Sequence, residues 1–288
     1  MAYFPYRAVQ TVRRDKENSH AGGGRPLPKF MNALILNLTK IHDTDAIVDL
    51  LTDADMPVHA YAKNYRTSRH FPNGLELFSV YEVSLSASNN GHYWFNSAHS
   101  EQPFSKIVSD VTSYACASAI LETVSVAYAD ETPMPNLFKT LLQAFAAMEA
   151  APDLSPLIHA WLEAHVLFVQ HILPDIRLCS GCAAPLTHSA YFQQEQGFLC
   201  ATCARGQENL PERVLSGLRR LISAPLRAVL ASAVQTNAPE ARHALLHAIT
   251  RLLACCLRDF STRRTLRAHA FLGETVYSDP SFLEPVAQ

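Results

Sequence analysis

The sequence is poor in charge and carries little excess of either sign. Charged residues make up 17% of the 288, and 24 Lys plus Arg face 26 Asp plus Glu, a formal net charge of −2. A 48% hydrophobic content with 10 Gly and 17 Pro excludes a wholly disordered, collagen-like or coiled-coil chain. Bulk electrostatics alone would not suggest a nucleic-acid binder. Long hydrophobic runs are missing too. The nearest, Val111 to Leu121, is short and contains Thr, Ser and Tyr, so no membrane span is expected. Met1 to Ser19 mixes four cations with Asp15 and Glu17 and has no apolar h-region; a secretory signal is therefore not expected, and the cytosol is the expected compartment. The 13 His fall in no H-E-x-x-H pattern, and G-x-S-x-G, P-loop and G-x-G-x-x-G are absent, so no catalytic residue is assigned.

What is present divides along the chain. The length is about twice that of a usual domain, which favours two or more units. Residues 1–100 carry 10 basic and 9 acidic side chains, 101–204 carry 3 and 10, and 205–288 carry 11 and 7. All the cations of the last third are Arg, which suits bidentate recognition of phosphate or carboxylate, although a plain preference for Arg on the surface explains the composition equally well.

Residues 1–29 end in a Gly- and Pro-rich stretch and read as a disordered tail. Between Phe30 and Ser100 the pattern is one of strands: Ala33 to Leu38, Ala46 to Leu51, Met56 to Lys63, a period of two from Leu75 to Leu85, and a return strand beginning at Tyr93-Trp94-Phe95 after the hairpin signal Asn90-Gly91. Five short strands suggest a small barrel, because closure removes exposed edges. After Pro103 the period becomes helical. A first stripe runs through Ile107, Val111, Tyr114, Ser118, Leu121 and Tyr128. Further amphipathic stretches are predicted at Leu137 to Met148, Leu157 to Leu173, Val214 to Ile222, Pro225 to Val234 and Ala241 to Leu257. The expected division is a tail at 1–29, the barrel at 30–100, helices at 101–175 and 207–275 around an insert at 176–206, and a flexible end at 276–288.

The insert holds the most specific signal. Cys179-Ser180-Gly181-Cys182 and Cys200-Ala201-Thr202-Cys203 are C-x2-C knuckles separated by 17 residues. Such knuckles place four thiolates within reach of one Zn²⁺, and four protein ligands leave no open position, so the expected site is structural, one ion per chain, on a four-cysteine zinc ribbon. Thiols without metal are the alternative. Cys116, Cys255 and Cys256 fall on apolar helical faces as small hydrophobes, and His188 reads as a loop residue.

A small N-terminal barrel, a helical domain and a four-cysteine zinc ribbon inserted within the helices together resemble the bacterial recombination mediator family RecO. Local stretches agree. Ala60-Tyr61-Ala62-Lys63-Asn64-Tyr65-Arg66 is similar to the family's Ala-Lys-Gly-x-Arg strand and loop, with Asn64 in place of Gly. Leu173-Pro174-Asp175-Ile176-Arg177-Leu178-Cys179 resembles the approach to its zinc module. Arg264-Thr265-Leu266-Arg267-Ala268-His269-Ala270-Phe271-Leu272 resembles its terminal basic stretch. The likeness covers about residues 30–272. It implies a multidomain α+β protein whose barrel is an OB-fold, acting in DNA repair and homologous recombination without covalent chemistry of its own. It further implies binding to single- and double-stranded DNA, annealing of strands coated by the single-strand-binding protein SSB, and work with RecR to load RecA, with RecF and RecA as indirect partners and a place at the nucleoid in the cytoplasm.

Such a function needs cations that track phosphates and aromatic faces on which bases stack. Lys63, Tyr65, Arg66 and Arg69, on the loop after the third strand, offer both; Tyr93 and Trp94 on the last hairpin are weaker candidates, since strand aromatics are more often core. Arg264, Arg267 and His269 form the second expected site, a pocket for the acidic C-terminal tail of SSB. The rivals are a zinc-ribbon interaction, assembly or transcription factor that does not anneal, and a metalloenzyme whose metal binds water.

Overall fold

The computed structural model describes residues 30–41, 43–72, 74–87, 92–127, 134–187, 189–194, 196–204, 209–235, 238–261 and 265–284. The first part is five strands: β1 (Met31–Lys40), β2 (Ala46–Thr52), β3 (Pro57–Ala62), β4 (Ser79–Ala87) and β5 (Tyr93–Pro103). They close into a barrel in the order β1-β2-β3-β5-β4. Every pairing is antiparallel except β3 with β5, which is parallel and registers Ala60 with Tyr93 and Tyr61 with Trp94.

Alternation along the strands sends one set of side chains inward. Ala33, Ala46, Ala60 and Ala62 keep the lumen narrow beside Val48, Leu50, Val83 and Phe95. The long connection from β3 to β4 closes one mouth, because its apolar residues Tyr65, Phe71 and Leu75 join that same core, with Phe71 edge-on to Phe95 at 5.3 Å. The period of two begins at Leu75, but β4 starts only at Ser79: Phe78 takes a left-handed φ of 61° and turns the chain into the sheet.

The outward residues Leu34, Leu36, Leu51 and Val80 are buried as well, under the helical part, so the barrel wall and the helices share one core. The helices are α1 (Ser105–Ser109), α2 (Val111–Ala127), α3 (Leu137–Ala150), α4 (Ser155–Val169), α5 (Ala201–Ala204), α6 (Glu212–Ser223), α7 (Leu226–Gln235), α8 (Pro239–Phe260) and α9 (Arg267–Val276). Among the described residues, none of these helices is long and apolar enough to cross a membrane. Phe78 and Phe104 both meet Phe145 of α3 edge to face, at 5.8 and 5.5 Å, where barrel and helices join; such pairs add about 0.5–1.5 kcal/mol each beyond their burial.

The expected stripe after Pro103 is misplaced. The helix breaks at Asp110, whose carboxylate accepts the Ser113 N–H at 2.7 Å and restarts it. The new phase keeps Ile107 and Leu121 of the stripe buried, leaves Val111 58% and Tyr114 37% exposed, and buries Cys116 and Ile120 in their place; Tyr128 lies outside the described residues. The expected flexible end is also corrected as far as residue 284; 285–288 lie outside the described residues. Tyr277 and Phe282 are buried and stack at 5.6 Å, and a Cβ on Gly273 would come within 2.3 Å of the Phe282 Cβ, so the terminal segment clasps α9. Residues 1–29 and the Asn90-Gly91 turn lie outside the described residues, although Ala87 and Tyr93 pair on either side of that turn.

Candidate functional site

Between α4 and α6 the chain forms a two-stranded hairpin, β6 (Tyr191–Gln193) and β7 (Gly197–Leu199), and brings the two knuckles together. The four cysteine sulfurs all lie within 4.8 Å of one another, with Cys182 and Cys200 at 3.7 Å. A tetrahedral Zn²⁺ with bonds of about 2.3 Å requires sulfurs about 3.8 Å apart, so the donor set and spacing fit that ion. Backbone geometry builds the cradle. Ala183 N–H donates to Cys179 O and Cys179 N–H to Ala184 O, both at 2.8 Å, around a left-handed Ala183 with φ 59°. Gly197, at φ 85°, must be glycine, because a Cβ there would meet Pro174 Cβ and Ser180 Oγ at 2.9 Å. Burial opposes ionisation of Cys179, but N–H groups of Cys200, Cys182 and Gly181 aimed at its sulfur bring it down to about 6. Cys203 is pushed up to about 12 by the sulfurs of Cys182, Cys200 and Cys179. Four thiolates cannot coexist at this distance without a cation among them.

Sequence reasoning missed what ties this hairpin to the helices. The Arg219 guanidinium of α6 donates to the carbonyls of Thr187 at 2.7 Å and Ile176 at 3.1 Å, and to that of Leu186. Nothing local in the sequence separates Arg219 from the neighbouring surface cation Arg220. His188 lies outside the described residues.

The barrel presents the second candidate surface. Lys63, Arg66 and Arg69 are exposed on the loop after β3, and Asn64 occupies the left-handed position expected of it, with φ 52°. Tyr65 corrects the expectation. Only 5% of it is exposed, because it plugs the barrel mouth; its hydroxyl accepts from Arg66 Nε at 3.2 Å and the Arg66 guanidinium lies over its ring, so it orients that cation rather than offering a face to a base. Trp94 is an exposed ring, 45% accessible and edge-on to Tyr61 at 5.2 Å, with Ile47 exposed on the strand next to Tyr61. Of the two readings of Trp94, binding candidate and core, its exposure removes the second. Alternation along so short an aromatic run could not fix which of its rings faces outward.

At the expected pocket for the SSB tail, Arg267 is exposed at the start of α9 beside a cleft of about 810 Å³ between barrel and helices, lined also by Asp49, His59 and Glu122. Arg264 lies outside the described residues. His269 is corrected: it is wholly buried. Its Nδ1 lies 2.7 Å from Glu122 Oε2 and its Nε2 2.9 Å from Glu163 Oε1. Glu122 also accepts the backbone N–H groups of Ala268 at 3.1 Å and His269 at 3.0 Å, and so caps α9 from α2. Burial pulls the His269 imidazole down, but the carboxylates of Glu163 and Glu122 outweigh it and raise it to about 9. His269 holds the fold and faces no partner.

A family model described as Recombination protein O C terminal matches residues 108–259, 152 of the 288. The chain belongs to the RecO family. Among curated RecO relatives, two proteins named DNA repair protein RecO, from Anaeromyxobacter sp. (strain K) and Anaeromyxobacter dehalogenans (strain 2CP-1 / ATCC BAA-258), are each 26% identical over 248 residues, 85% of this chain and 95% of their own. A third of the same name, from Anaeromyxobacter dehalogenans (strain 2CP-C), is 28% identical over 251 residues with the same coverage. The RecO match contains all four clustered cysteines and leaves the barrel outside.

Proposed function

We propose that this protein acts in DNA repair and recombination by binding single- and double-stranded DNA and annealing complementary strands coated by SSB, and that with RecR it assists RecA loading in the cytoplasm, without covalent chemistry of its own. The observation that carries this reading is the exposed Trp94 beside Tyr61 on a closed five-stranded barrel whose neighbouring loop presents Lys63, Arg66 and Arg69, in a chain of the RecO family. Aromatic faces hold bases, and cations hold the intervening phosphates. In this reading Cys179, Cys182, Cys200 and Cys203 hold one structural Zn²⁺, which fixes the hairpin between α4 and α6. Arg267 is the described part of the SSB-tail site, next to the exposed Phe271 on the same helix.

The test is annealing of complementary strands with and without SSB, alongside DNA affinity at several salt concentrations. Replacing Lys63, Arg66 and Arg69 by Ala should reduce the slope of log K against log salt by ~2 if all three contact phosphates of one strand. Trp94→Ala should cost ~1–3 kcal/mol of single-strand affinity with the slope unchanged. An unchanged slope and affinity in both variants would remove the barrel from the DNA site. A protein that binds a partner yet anneals nothing would return the reading to a ribbon-based assembly factor.

A further inference from the structure

Deep between α4 and α9 lies a cluster that no part of this function uses. His159 and Glu163, one turn apart on α4, and His269 of α9 are all fully buried, and one ligand atom from each lies within 4.8 Å of the others. Glu163 Oε1 is 2.9 Å from His269 Nε2, and Glu163 Oε2 is 3.5 Å from His159 Nε2. Around a cation bound at 2.0–2.1 Å, tetrahedral nitrogen and oxygen ligands stand about 3.3 Å apart, and each imidazole lies near that distance from one of the two Glu163 oxygens. Three polar atoms in the cluster, His159 Nδ1, His159 Nε2 and Glu163 Oε2, are buried without a hydrogen-bond partner. Orphaned groups of this kind are costly and call for something to fill the space between them.

The surroundings suit a cation. Glu122 accepts from the far nitrogen of His269 at 2.7 Å, the carboxylate–histidine arrangement that fixes the tautomer of a metal-bound imidazole and strengthens it as a donor. Two carboxylates, Glu122 and Glu163, balance a divalent charge, and an ion bound here takes the place of the proton that His269 Nε2 otherwise shares with Glu163. We propose that His159, Glu163 and His269 form a second metal site, distinct from the four cysteines, for a borderline divalent ion of the Zn²⁺ type that accepts imidazole and carboxylate together. The Thr123 hydroxyl, which donates to Ala119 O at 3.0 Å, keeps its lone pairs 3.3 Å from His269 Nε2. Bound there, the ion links α4 to α9 and fills a polar gap in the helical core.

The experiment loads the full-length protein with Zn²⁺, removes loosely held metal by dialysis, and measures zinc per chain before and after a mercurial that displaces thiolate-bound zinc. A mercurial-resistant equivalent is expected in the wild type and should be lost in His159→Gln and in Glu163→Gln. The thiol fraction is counted separately, so failure of the cysteine site and failure of this one are distinguishable. Absence of resistant zinc in the wild type overturns the proposal and leaves a cluster closed by protons and water. So does a resistant fraction unchanged in the folded variants. Should the variants not fold, X-ray absorption of the mercurial-treated wild type decides: a nitrogen and oxygen shell is expected, and sulfur among the ligands overturns the site.

Discussion

At the scale of single residues, several groups that hold this molecule are polar side chains reaching across it to backbone. Arg219 satisfies three carbonyls under the cysteine hairpin. Arg219→Ala should cost several kcal/mol, at ~1.5–3 kcal/mol for each charged hydrogen bond, and should speed metal loss from the cysteines; a urea titration and a zinc-release assay measure the two effects. Asp279 is tied to Ser281 and, at 2.9 Å, to His247. Burial pushes its carboxyl up, but Ser281 and His247 hold it below its ordinary value. A depressed carboxylate stabilises the fold above its unfolded pKa of about 4 and ceases to do so as pH falls through the folded value. Asp279→Asn should therefore lower the urea midpoint near neutrality and flatten its decline on acidification. A decline as steep as the wild type's would discount the pair.

Between elements, carboxylates from distant strands and helices cap the helix ends. The residues preceding α1, α3 and α9 make no capping bond of their own. Instead Glu149 accepts the Lys106 N–H at 2.8 Å, Asp55 accepts those of Asn136 at 2.6 Å and Phe138 at 2.8 Å, and Glu122 caps α9. Asp55 thus stitches the turn after β2 to α3. Asp55→Ala should cost ~1–2 kcal/mol, with Asp55→Asn milder because it loses the charge and keeps one acceptor; chemical denaturation separates them. Gly273→Ala should be more severe than a usual helical substitution, since its Cβ meets Phe282. Helix extents were legible in the sequence because period and breakers are local. The caps were not, because Asp55 and Asn136 are 81 positions apart and look like ordinary surface polar residues. Tyr65 and His269 failed as site residues for a related reason: residue type advertises chemistry, but burial is decided by what packs against it.

For the whole molecule, the order of parts was readable: strands, helices, paired thiols, helices. The shared core between barrel wall and helices was hidden, because Leu34 and Leu51 alternate like residues of a two-faced strand whichever neighbour covers the second face. That sharing has a thermodynamic outcome. Barrel and helices should unfold in one transition, and chelation of metal from the cysteines should lower its midpoint rather than melt the hairpin alone, because Phe198 and Leu199 belong to the same core. Calorimetry with and without chelator checks this; two resolved transitions in the loaded protein would contradict it.

The closure of the barrel carries one more consequence, in the time domain. Its parallel seam spans only Ala60 and Tyr61 against Tyr93 and Trp94, whereas β4 and β5 pair along their full length. The shortest ladder is where a sheet breathes first. Amide protons bonded across this seam should exchange with solvent faster than those of β4, and a strand of nucleic acid laid across Trp94 should slow them, so that exchange at this seam becomes a clock for occupancy of the barrel face.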